Sequence, residues 1–218
     1  LMYAMVMTRP DTAFALGRLS QYMTDPAVHH GRALKNLMRY IRSTIKQKLR
    51  YGPRAKHEDN IVVYSDADYA SDRTDRKSIS GSVGMFYGGP VSWGSKKQAS
   101  VSTSTTEAEY IAQATSLKQS LWIAQITRDL NYPEYINPNR RTSLMLGDNQ
   151  GAIALAKNPH LHERSKHIDV CYHKIRDEVQ KERVSIEYIP TTDMIADAMT
   201  KPLSLIHISE PTRPRLIS

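Results

Sequence analysis

The sequence of 218 residues has a single cysteine, Cys171, so no disulfide can form within the chain. It also lacks any apolar run near the roughly 18 residues that a membrane span needs, and no charged-then-apolar leader is recognisable. These absences exclude a disulfide-stapled scaffold and predict that no membrane is a partner, while the lone thiol fits a reducing compartment. A hydrophobic content of 40% is enough for a buried core, so we expect a globular protein.

Acidic residues are scarce in the first quarter of the chain. Residues 1–58 carry 11 Lys and Arg against 3 Asp and Glu, whereas residues 59–202 carry 17 against 18. The net charge of +8 therefore comes from the N-terminal part, and the central body is neutral and rich in carboxylates. A polyanion could be held by the first part and processed in the second, although surplus lysine is equally a means of staying soluble.

The N-terminal 58 residues predict a basic helical appendage. The chain begins inside an apolar phrase, LMYAMVMTRPD, with no initiator methionine, which suggests a fragment of a longer protein. Asp25 as N-cap and Pro26 as first helical residue predict an amphipathic helix. Its apolar face consists of Leu34, Leu37, Met38, Ile41 and Ile45, and its basic stripe of Arg32, Lys35, Arg39, Arg42 and Lys46. The stripe could contact phosphates or simply face solvent.

The polar stretch 51–60 contains Gly and Pro and predicts a domain boundary near residue 58. Beyond it we expect antiparallel strands at 61–67, 81–88 and 91–96, with a tight hairpin at the GGP of 88–90. A helix over 105–130, a strand at 142–148, helices at 150–158 and 167–182, a strand at 184–190 and a helix at 192–201 follow. The order βββαβααβα predicts an α/β fold, a mixed five-stranded sheet flanked by helices, over residues 59–202.

Two glutamates open the long helix in the stretch STSTTEAEY (102–110). Ser104 and Glu107 match the capping box, in which a hydroxyl bonds the backbone N–H three residues on and the glutamate reaches back to the cap residue. Glu107 therefore has a structural task. Glu109 lies roughly 200° further around the helix and must face elsewhere, close to the apolar side that meets the sheet.

Three aspartates lie where an α/β site would have them. Asp66 is in the first strand after the boundary, Asp148 ends a later strand, and Asp197 is on the last helix. With Glu109 they form a set of four acids, which would raise one another's pKa unless a cation neutralised them. Hard oxygen ligands suit Mg²⁺ or Mn²⁺, and paired metals recur in phosphodiester hydrolysis. Asp68 rivals Asp66, because both have the same strand parity.

Seven stretches together resemble the ribonuclease H domain of copia-type retrotransposon Pol polyproteins. In chain order they are YSDADYA (64–70), DRKSISG (75–81), SWGSKKQ (92–98), STTEAEY (104–110), GDNQGAI (147–153), HERSKHID (162–169) and ADAMTKPL (196–203). TRPD (8–11) and the basic helix resemble the end of the reverse transcriptase that precedes this domain. Tyr69 stands where the family often has tryptophan.

The resemblance implies a ribonuclease H-like sheet and hydrolysis of the RNA strand of RNA–DNA hybrids. It places Asp66, Glu109, Asp148 and Asp197 in the family's acidic quartet, favours Asp66 over Asp68, and leaves Glu107 outside. Two Mg²⁺ ions are implied, with Mn²⁺ as a substitute. Asp66 would bridge them, Asp197 would help hold the ion that activates water, and Glu109 with Asp148 would hold the ion near the leaving 3′ oxygen.

The implied partners are an RNA–DNA hybrid and a covalently linked reverse transcriptase, and the implied location is the cytoplasm, in the virus-like particle of the element. A protein tells RNA from DNA by the 2′-hydroxyl. Six residues are candidate substrate contacts: Arg76, Lys77, Lys96, Lys97, Asn149 and His167. The four cations could equally be solvated turn charges, and His167 is included because it falls inside the matched KHID.

Three other interpretations compete with the nuclease. HLHERSKHIDVCYH (160–173) has four histidines and the cysteine, but one thiol makes a structural zinc site a poor hypothesis. An integrase-like strand transferase would share the fold and the metals, yet its essential glutamate comes late in the chain, whereas Glu109 precedes Asp148. A decayed, non-catalytic module that only binds nucleic acid is the third, and the intact set of four acids argues against it.

The last 16 residues predict no part of the fold. LSLIHISEPTR (203–213) can be back-translated into a sequence that resembles the transposase-end adapter of sequencing libraries. We therefore expect residues 203–218 to be adapter read-through rather than native protein, and we assign no role to His207 or Arg213.

Overall fold

A computed structural model of the chain describes residues 1–52, 61–72, 74–130, 143–157 and 169–202, with the side chains of residues 169–172 left out. Most of the predicted linker at 51–60, His167, most of the segment considered for zinc, and the predicted adapter tail at 203–218 lie outside the described residues. Within the described ranges, no helix combines the length and the apolar character needed to cross a membrane.

The predicted sheet is present and has five strands. In chain order they are β1 (Val62–Asp68), β2 (Ile79–Phe86), β3 (Gly89–Lys97), β4 (Ser143–Gly147) and β5 (Val184–Tyr188). Their order across the sheet is β3-β2-β1-β4-β5. The pairs β1/β2 and β2/β3 are antiparallel, whereas β1/β4 and β4/β5 are parallel. This mixed order confirms the predicted ribonuclease H-like fold class.

Helices flank the sheet as the sequence predicts. In chain order they are α1 (Met2–Met7), α2 (Ala13–Ser20), α3 (Val28–Ser43), α4 (Thr105–Asp129), α5 (Gln150–Lys157), α6 (Asp169–Gln180) and α7 (Asp197–Thr200), with 3-10 turns at Pro10–Thr12 and Thr191–Asp193. The turn between β2 and β3 has two successive residues with positive φ, Tyr87 at 52° and Gly88 at 71°. Such a pair suits the twist of a tight hairpin. The hairpin predicted at GGP (88–90) is therefore present, but its turn is Tyr87–Gly88, and Gly89 and Pro90 belong to β3.

Two apolar clusters hold the helices on opposite faces of the sheet. One cluster joins α4, α5 and α6 to the sheet around Val63, Tyr110, Leu117, Met145 and Ile186. The other joins α2 and the segment 194–199 to Val83. A third, small cluster consists of Ala67, Ala108 and Ala112, whose short side chains let α4 lie close against β1. This close approach sets the position of Glu109, which follows Ala108 directly.

The N-terminal segment packs against the outer strand of the sheet. The indole Nε1 of Trp93 on β3 donates to the backbone oxygen of Met5 at 2.8 Å. Arg18 on α2 pairs with the buried Asp72 at 2.8 Å, and Lys97 pairs with the same carboxylate at 2.8 Å. The contacts of Trp93 with Met5 and of Arg18 with Asp72 cross the predicted boundary at residue 58, which itself stays a prediction.

Two helix predictions were wrong in detail. The helix expected from Asp25 begins at Val28, with Ala27 as its N-cap, because the ring Nδ1 of His30 accepts the N–H of Ala27 at 3.0 Å. Its predicted apolar face is mostly exposed, and of the five predicted residues only Leu37 is buried. The helix expected over 192–201 is instead the 3-10 turn Thr191–Asp193 followed by the short α7, with Met194 in extended backbone between them.

Candidate metal centre

Three of the four predicted acids meet at one edge of the sheet. Asp66 lies near the end of β1, Glu109 lies in the first turns of α4, and Asp148 directly follows the last residue of β4. Strands β1 and β4 are parallel, so the ends at which they leave the sheet lie side by side. One ligand oxygen from each of the three residues lies within 4.8 Å of the others.

Asp66 is buried, with 2% of its surface exposed, and is held by residues of the C-terminal segment. The hydroxyl of Thr200 donates to its Oδ2 in a short hydrogen bond. The ammonium of Lys201 lies 3.7 Å from the same oxygen. Burial raises the pKa of Asp66 to about 6, against the opposing effects of Lys201 and Thr200. The carboxylate therefore lies where a cation would be favoured.

Glu109 is also buried and has only one of its two oxygens partnered. Its Oε1 accepts the backbone N–H of Ala67 at 3.2 Å. Its Oε2 is buried and has no hydrogen-bond partner among the described residues. Burial, together with the charges of the neighbouring Asp66 and Asp148, raises the pKa of Glu109 to about 9. An unpartnered, buried carboxylate oxygen is expensive unless a proton or a cation meets it, so the site fits a metal ion.

Asp148 and Asp197 are fixed by different partners. Oδ2 of Asp148 accepts the hydroxyl of Thr191 at 2.7 Å, so the 3-10 turn after β5 orients this carboxylate. Asp197 begins α7, and its Oδ1 lies 3.0 Å from the ammonium of Lys201. Among the described residues, the group of acids close enough to share one ion contains Asp66, Glu109 and Asp148 but not Asp197. Lys201 connects Asp197 to this group, because its ammonium contacts the carboxylates of both Asp197 and Asp66.

Asp68 and Glu107 lie outside this group, as the sequence analysis expects. Asp68 is the last residue of β1 and belongs to no group of three potential ligands among the described residues. Glu107 directs its Oε2 to Thr103, accepting the backbone N–H at 2.7 Å and the hydroxyl at 2.6 Å. Ser104 accepts the N–H of Glu107 at 3.1 Å and is the N-cap of α4.

The predicted capping box is therefore confirmed in its first half and altered in its second. The glutamate reaches Thr103, one residue before the cap, rather than the N–H of Ser104. The reason is that Thr103 offers two donors, its N–H and its hydroxyl, to one carboxylate oxygen. Nothing in the sequence pattern distinguishes these two neighbouring positions.

We expect Glu107→Gln to lower the free energy of unfolding by about 1 kcal/mol, because a neutral amide accepts these two bonds more weakly than a carboxylate does. Equilibrium denaturation with urea measures the change. The variant should keep its affinity for divalent ions. Full loss of metal binding in a folded Glu107→Gln protein would contradict the assignment of Glu107 to the cap.

The raised pKa of Glu109 predicts a pH-dependent stability in metal-free protein. The folded value of about 9 exceeds the ordinary value of 4.5, so the folded state binds the proton more tightly than the unfolded state does. Stability is therefore lost as pH rises from about 4.5 to about 9. We expect Glu109→Gln to remove this slope and to raise the free energy of unfolding on the order of 2 kcal/mol at pH 7. Denaturation in EDTA at a series of pH values measures it, and an unchanged slope would contradict the burial argument.

The predicted substrate contacts divide into exposed and engaged residues. Arg76 and Lys96 are exposed, and Arg76 lies in a turn with φ of 58°. Lys97 is engaged by Asp72 and Asp75 at 2.8 and 2.9 Å, and Lys77 lies 3.9 Å from Asp75. The side-chain oxygen of Asn149 accepts the N–H of Ala152 at 2.9 Å at the start of α5. Lys97 and Asn149 thus have structural tasks, and all six contacts stay predictions.

Sequence reasoning missed Thr191, Thr200 and Lys201 as partners of the acids. Thr200 and Lys201 lie inside the matched ADAMTKPL, so their place in that stretch was a usable signal. The role of Gly81, which lets α7 pack close to Asp66, was also not predicted from the sequence. Gly81 on β2 pairs with Asp66 on β1, and a Cβ at Gly81 would lie 2.6 to 2.8 Å from atoms of Ala196, Met199 and Thr200.

Comparison with known proteins finds Pol polyproteins of transposons. The chain is 41% identical over 202 residues to the retrovirus-related Pol polyprotein from transposon TNT 1-94 of Nicotiana tabacum, a match that covers 92% of this chain and 14% of that protein. It is 38% identical over 202 residues to the corresponding polyprotein from transposon RE1 of Arabidopsis thaliana, covering 92% of this chain and 13% of that protein. The chain thus spans a small part of these relatives.

A shorter relative matches over most of its own length. Secreted RxLR effector protein 161 of Plasmopara viticola is 44% identical over 128 residues, which covers 59% of this chain and 89% of that protein.

No protein-family model matches the chain. Among solved structures, the N-terminal RNase H domain of a Mycobacterium tuberculosis protein, solved as a fusion with maltose-binding protein, aligns with 65% of this chain and 90% of its own, at 12% identity and a TM-score of 0.47. From these identities, the chain is a homologue of one part of copia-type retrotransposon Pol polyproteins.

Proposed function

We propose that this chain hydrolyses the RNA strand of RNA–DNA hybrids with the help of two divalent metal ions, as part of reverse transcription by a retrotransposon. The observation that carries the proposal is the group of Asp66, Glu109 and Asp148, whose ligand oxygens lie within 4.8 Å of one another. The ribonuclease H-like strand order and the identity to transposon Pol polyproteins support the choice of substrate.

The donor set fits Mg²⁺, with Mn²⁺ as a substitute. All the candidate ligands are carboxylate oxygens, which hard divalent cations prefer, and the sulfur and imidazole ligands typical of zinc are absent from this group. Asp66, Glu109 and Asp148 would hold one ion, and Asp66 with Asp197 would hold the second. When bound, such ions lower the pKa of a water and offset the charge on the phosphate, so the chain needs no side chain as general base.

The residues around the acids keep the ligand oxygens in place before any substrate arrives. The hydroxyl of Thr200 fixes Oδ2 of Asp66, and the N–H of Ala67 fixes Oε1 of Glu109. The hydroxyl of Thr191 fixes Oδ2 of Asp148. These donors come from the protein itself, so little reorganisation would be needed on binding, which is how preorganised sites lower a reaction barrier.

Hybrid recognition would depend on exposed cations and on the shape of the duplex. Arg76 and Lys96 are free to reach solvent and could contact phosphates, while 2′-hydroxyls on one strand would identify RNA. The basic stripe of α3 could add non-specific affinity, because each phosphate contact releases counterions.

The order of the acids along the chain favours the nuclease over an integrase-like transferase. The glutamate of the group is on α4, which precedes β4 and Asp148, and the long helix lies in the middle of the fold rather than after the last strands. A binding module without catalysis would have no reason to bury the unpartnered Oε2 of Glu109.

The test is a panel of labelled substrates incubated with the full chain and Mg²⁺. We expect cleavage of RNA paired to DNA, and none of single-stranded RNA, RNA duplex or DNA duplex. Addition of EDTA should stop the reaction. Binding of the hybrid without cleavage, together with no detectable divalent site by calorimetric titration, would instead support the binding module.

A further inference from the structure

Lys201 lies between two carboxylates that the proposed function assigns to metal ions. Its ammonium is 3.0 Å from Oδ1 of Asp197 and 3.7 Å from Oδ2 of Asp66. The lysine follows α7 directly, and its backbone N–H donates to the backbone oxygen of Asp197 at 3.0 Å, so the chain itself holds the stem of the side chain beside this pair. A positive charge of the protein thus lies beside both carboxylates that a shared cation would contact.

The same contact explains why Asp197 is separate from the other acids. Asp66, Glu109 and Asp148 lie close enough to share an ion, whereas the carboxylate of Asp197 is turned to Lys201. The oxygens of Asp66, Glu109 and Asp148 are therefore positioned to bind one ion. The pair Asp66 and Asp197 instead already contacts a cation, the ammonium of Lys201.

The side chain of Lys201 can leave without disturbing the core. It is 43% exposed, whereas that of Asp197 is 17% exposed and that of Asp66 is 2% exposed. A flexible four-carbon stem lets its ammonium move into solvent, where it is well hydrated. In contrast, the carboxylate of Asp66 accepts the hydroxyl of Thr200, and the backbone of Asp197 is held in α7, where its carbonyl oxygen also lies within hydrogen-bond distance of that hydroxyl.

We propose that Lys201 is an internal competitor of the second metal ion: it neutralises Asp66 and Asp197 in the metal-free protein and must be displaced before a divalent ion binds between them. The inference rests on the proposed metal site and adds the order in which its ions load. The first ion enters at Asp66, Glu109 and Asp148, and the second follows only at a higher metal concentration.

The test is a titration of the full chain with Mn²⁺ alone, by isothermal calorimetry and by the electron spin resonance signal of free Mn²⁺. For the unmodified chain we expect one tighter and one weaker site. In Lys201→Met the dissociation constant of the weaker site should fall on the order of tenfold or more, because the ion no longer has to displace a positive charge from the two carboxylates. Lys201→Arg keeps the charge and should stay within about twofold of the unmodified chain.

Two further measurements separate competition from other roles of Lys201. Metal-free Lys201→Met should unfold at a lower temperature than the unmodified chain, because Asp66 and Asp197 lose their partner. Lys118→Met removes the same charge from an exposed position on α4 and should change neither the metal affinity nor that temperature. If Lys201→Met does not fold, Lys201→Gln takes its place, with near-ultraviolet circular dichroism as the check.

Three outcomes would overturn the inference. Unchanged Mn²⁺ affinities in Lys201→Met would show that the lysine does not oppose the ion. Loss of the weaker site would show that Lys201 positions Asp197 for the metal rather than competing with it. If neither the unmodified chain nor Lys201→Met binds Mn²⁺, the proposed metal site itself fails, and that result is distinct from the other two.

Discussion

Asp66→Asn is expected to abolish cleavage of RNA–DNA hybrids, with a loss of at least about a thousandfold in rate, because several kcal/mol of electrostatic stabilisation depend on the ions that Asp66 shares. The variant should fold. The carboxylate of Asp66 is buried and has a raised pKa. A neutral amide of nearly the same shape therefore costs little folding free energy and can still accept the hydroxyl of Thr200. Initial rates on a labelled hybrid, with thermal unfolding as the check on folding, measure the effect.

Asp68→Asn is the matched control. Asp68 is on the same strand, two residues further and on the same face, and its carboxylate lies outside the group of three acids. We expect this variant to keep its rate within about threefold, since Asp68 is half-buried and removal of one charge outside the group of three acids changes the electrostatics of the site only modestly. Equal losses in Asp66→Asn and Asp68→Asn would contradict the assignment of the site to Asp66.

Gly81→Ala is expected to have the second-largest effect, on stability and on activity together. A Cβ there would lie 2.6 Å from Cγ2 of Thr200 and 2.8 Å from both the backbone oxygen of Ala196 and Cβ of Met199. The oxygen of Ala196 is a backbone atom, and Cβ of Met199 is bonded directly to the backbone. Neither atom can move by a side-chain rotation, so α7 must move away from β2. The overpacking should cost about 1 to 3 kcal/mol.

The displacement also moves the partners of the acids. Thr200, Asp197 and Lys201 lie on or next to α7, and a shift of about 1 Å in a positioned group can lower a rate about a hundredfold. Urea denaturation and hybrid cleavage measure the two effects. Gly17→Ala is the control, because its Cβ would meet atoms of Ser95 at an ordinary 3.7 to 3.8 Å. Unchanged stability and activity in Gly81→Ala would contradict the packing of α7 on β2.

Much of the sheet could be predicted because its signals are local. The strands after residue 60 are short, rich in β-forming residues and separated by glycine turns, and the parallel edge follows from the helices that precede β4 and β5. Assignment of Glu107 to a cap needed only the capping-box pattern, and assignment of Glu109 to the sheet side needed only the helical period. In the structure Glu107 contacts Thr103 at the start of the helix, and Glu109 contacts Ala67 on β1, as predicted.

The remaining features depend on contacts between distant parts of the chain. Lys97 reads as a free turn charge in the sequence, yet Asp72 and Asp75 engage it, and the hydrogen bond from its ammonium lowers the pKa of Asp72. Leu34 and Met38 read as core residues by their period, yet they are exposed on α3. A local sequence pattern does not indicate which distant residue a side chain contacts. Propensity and spacing therefore could not predict the ion pairs of Lys97 or the exposure of Leu34 and Met38.

The most direct test of the central claim is one cleavage experiment on a hybrid whose RNA and DNA strands carry different labels, with the full chain in Mg²⁺. We expect that only the RNA strand is cut, that the new ends are a 5′-phosphate and a 3′-hydroxyl, and that EDTA stops the reaction. Cleavage of the DNA strand, cleavage that persists in EDTA, or an intact hybrid bound to folded protein would contradict the proposed ribonuclease activity.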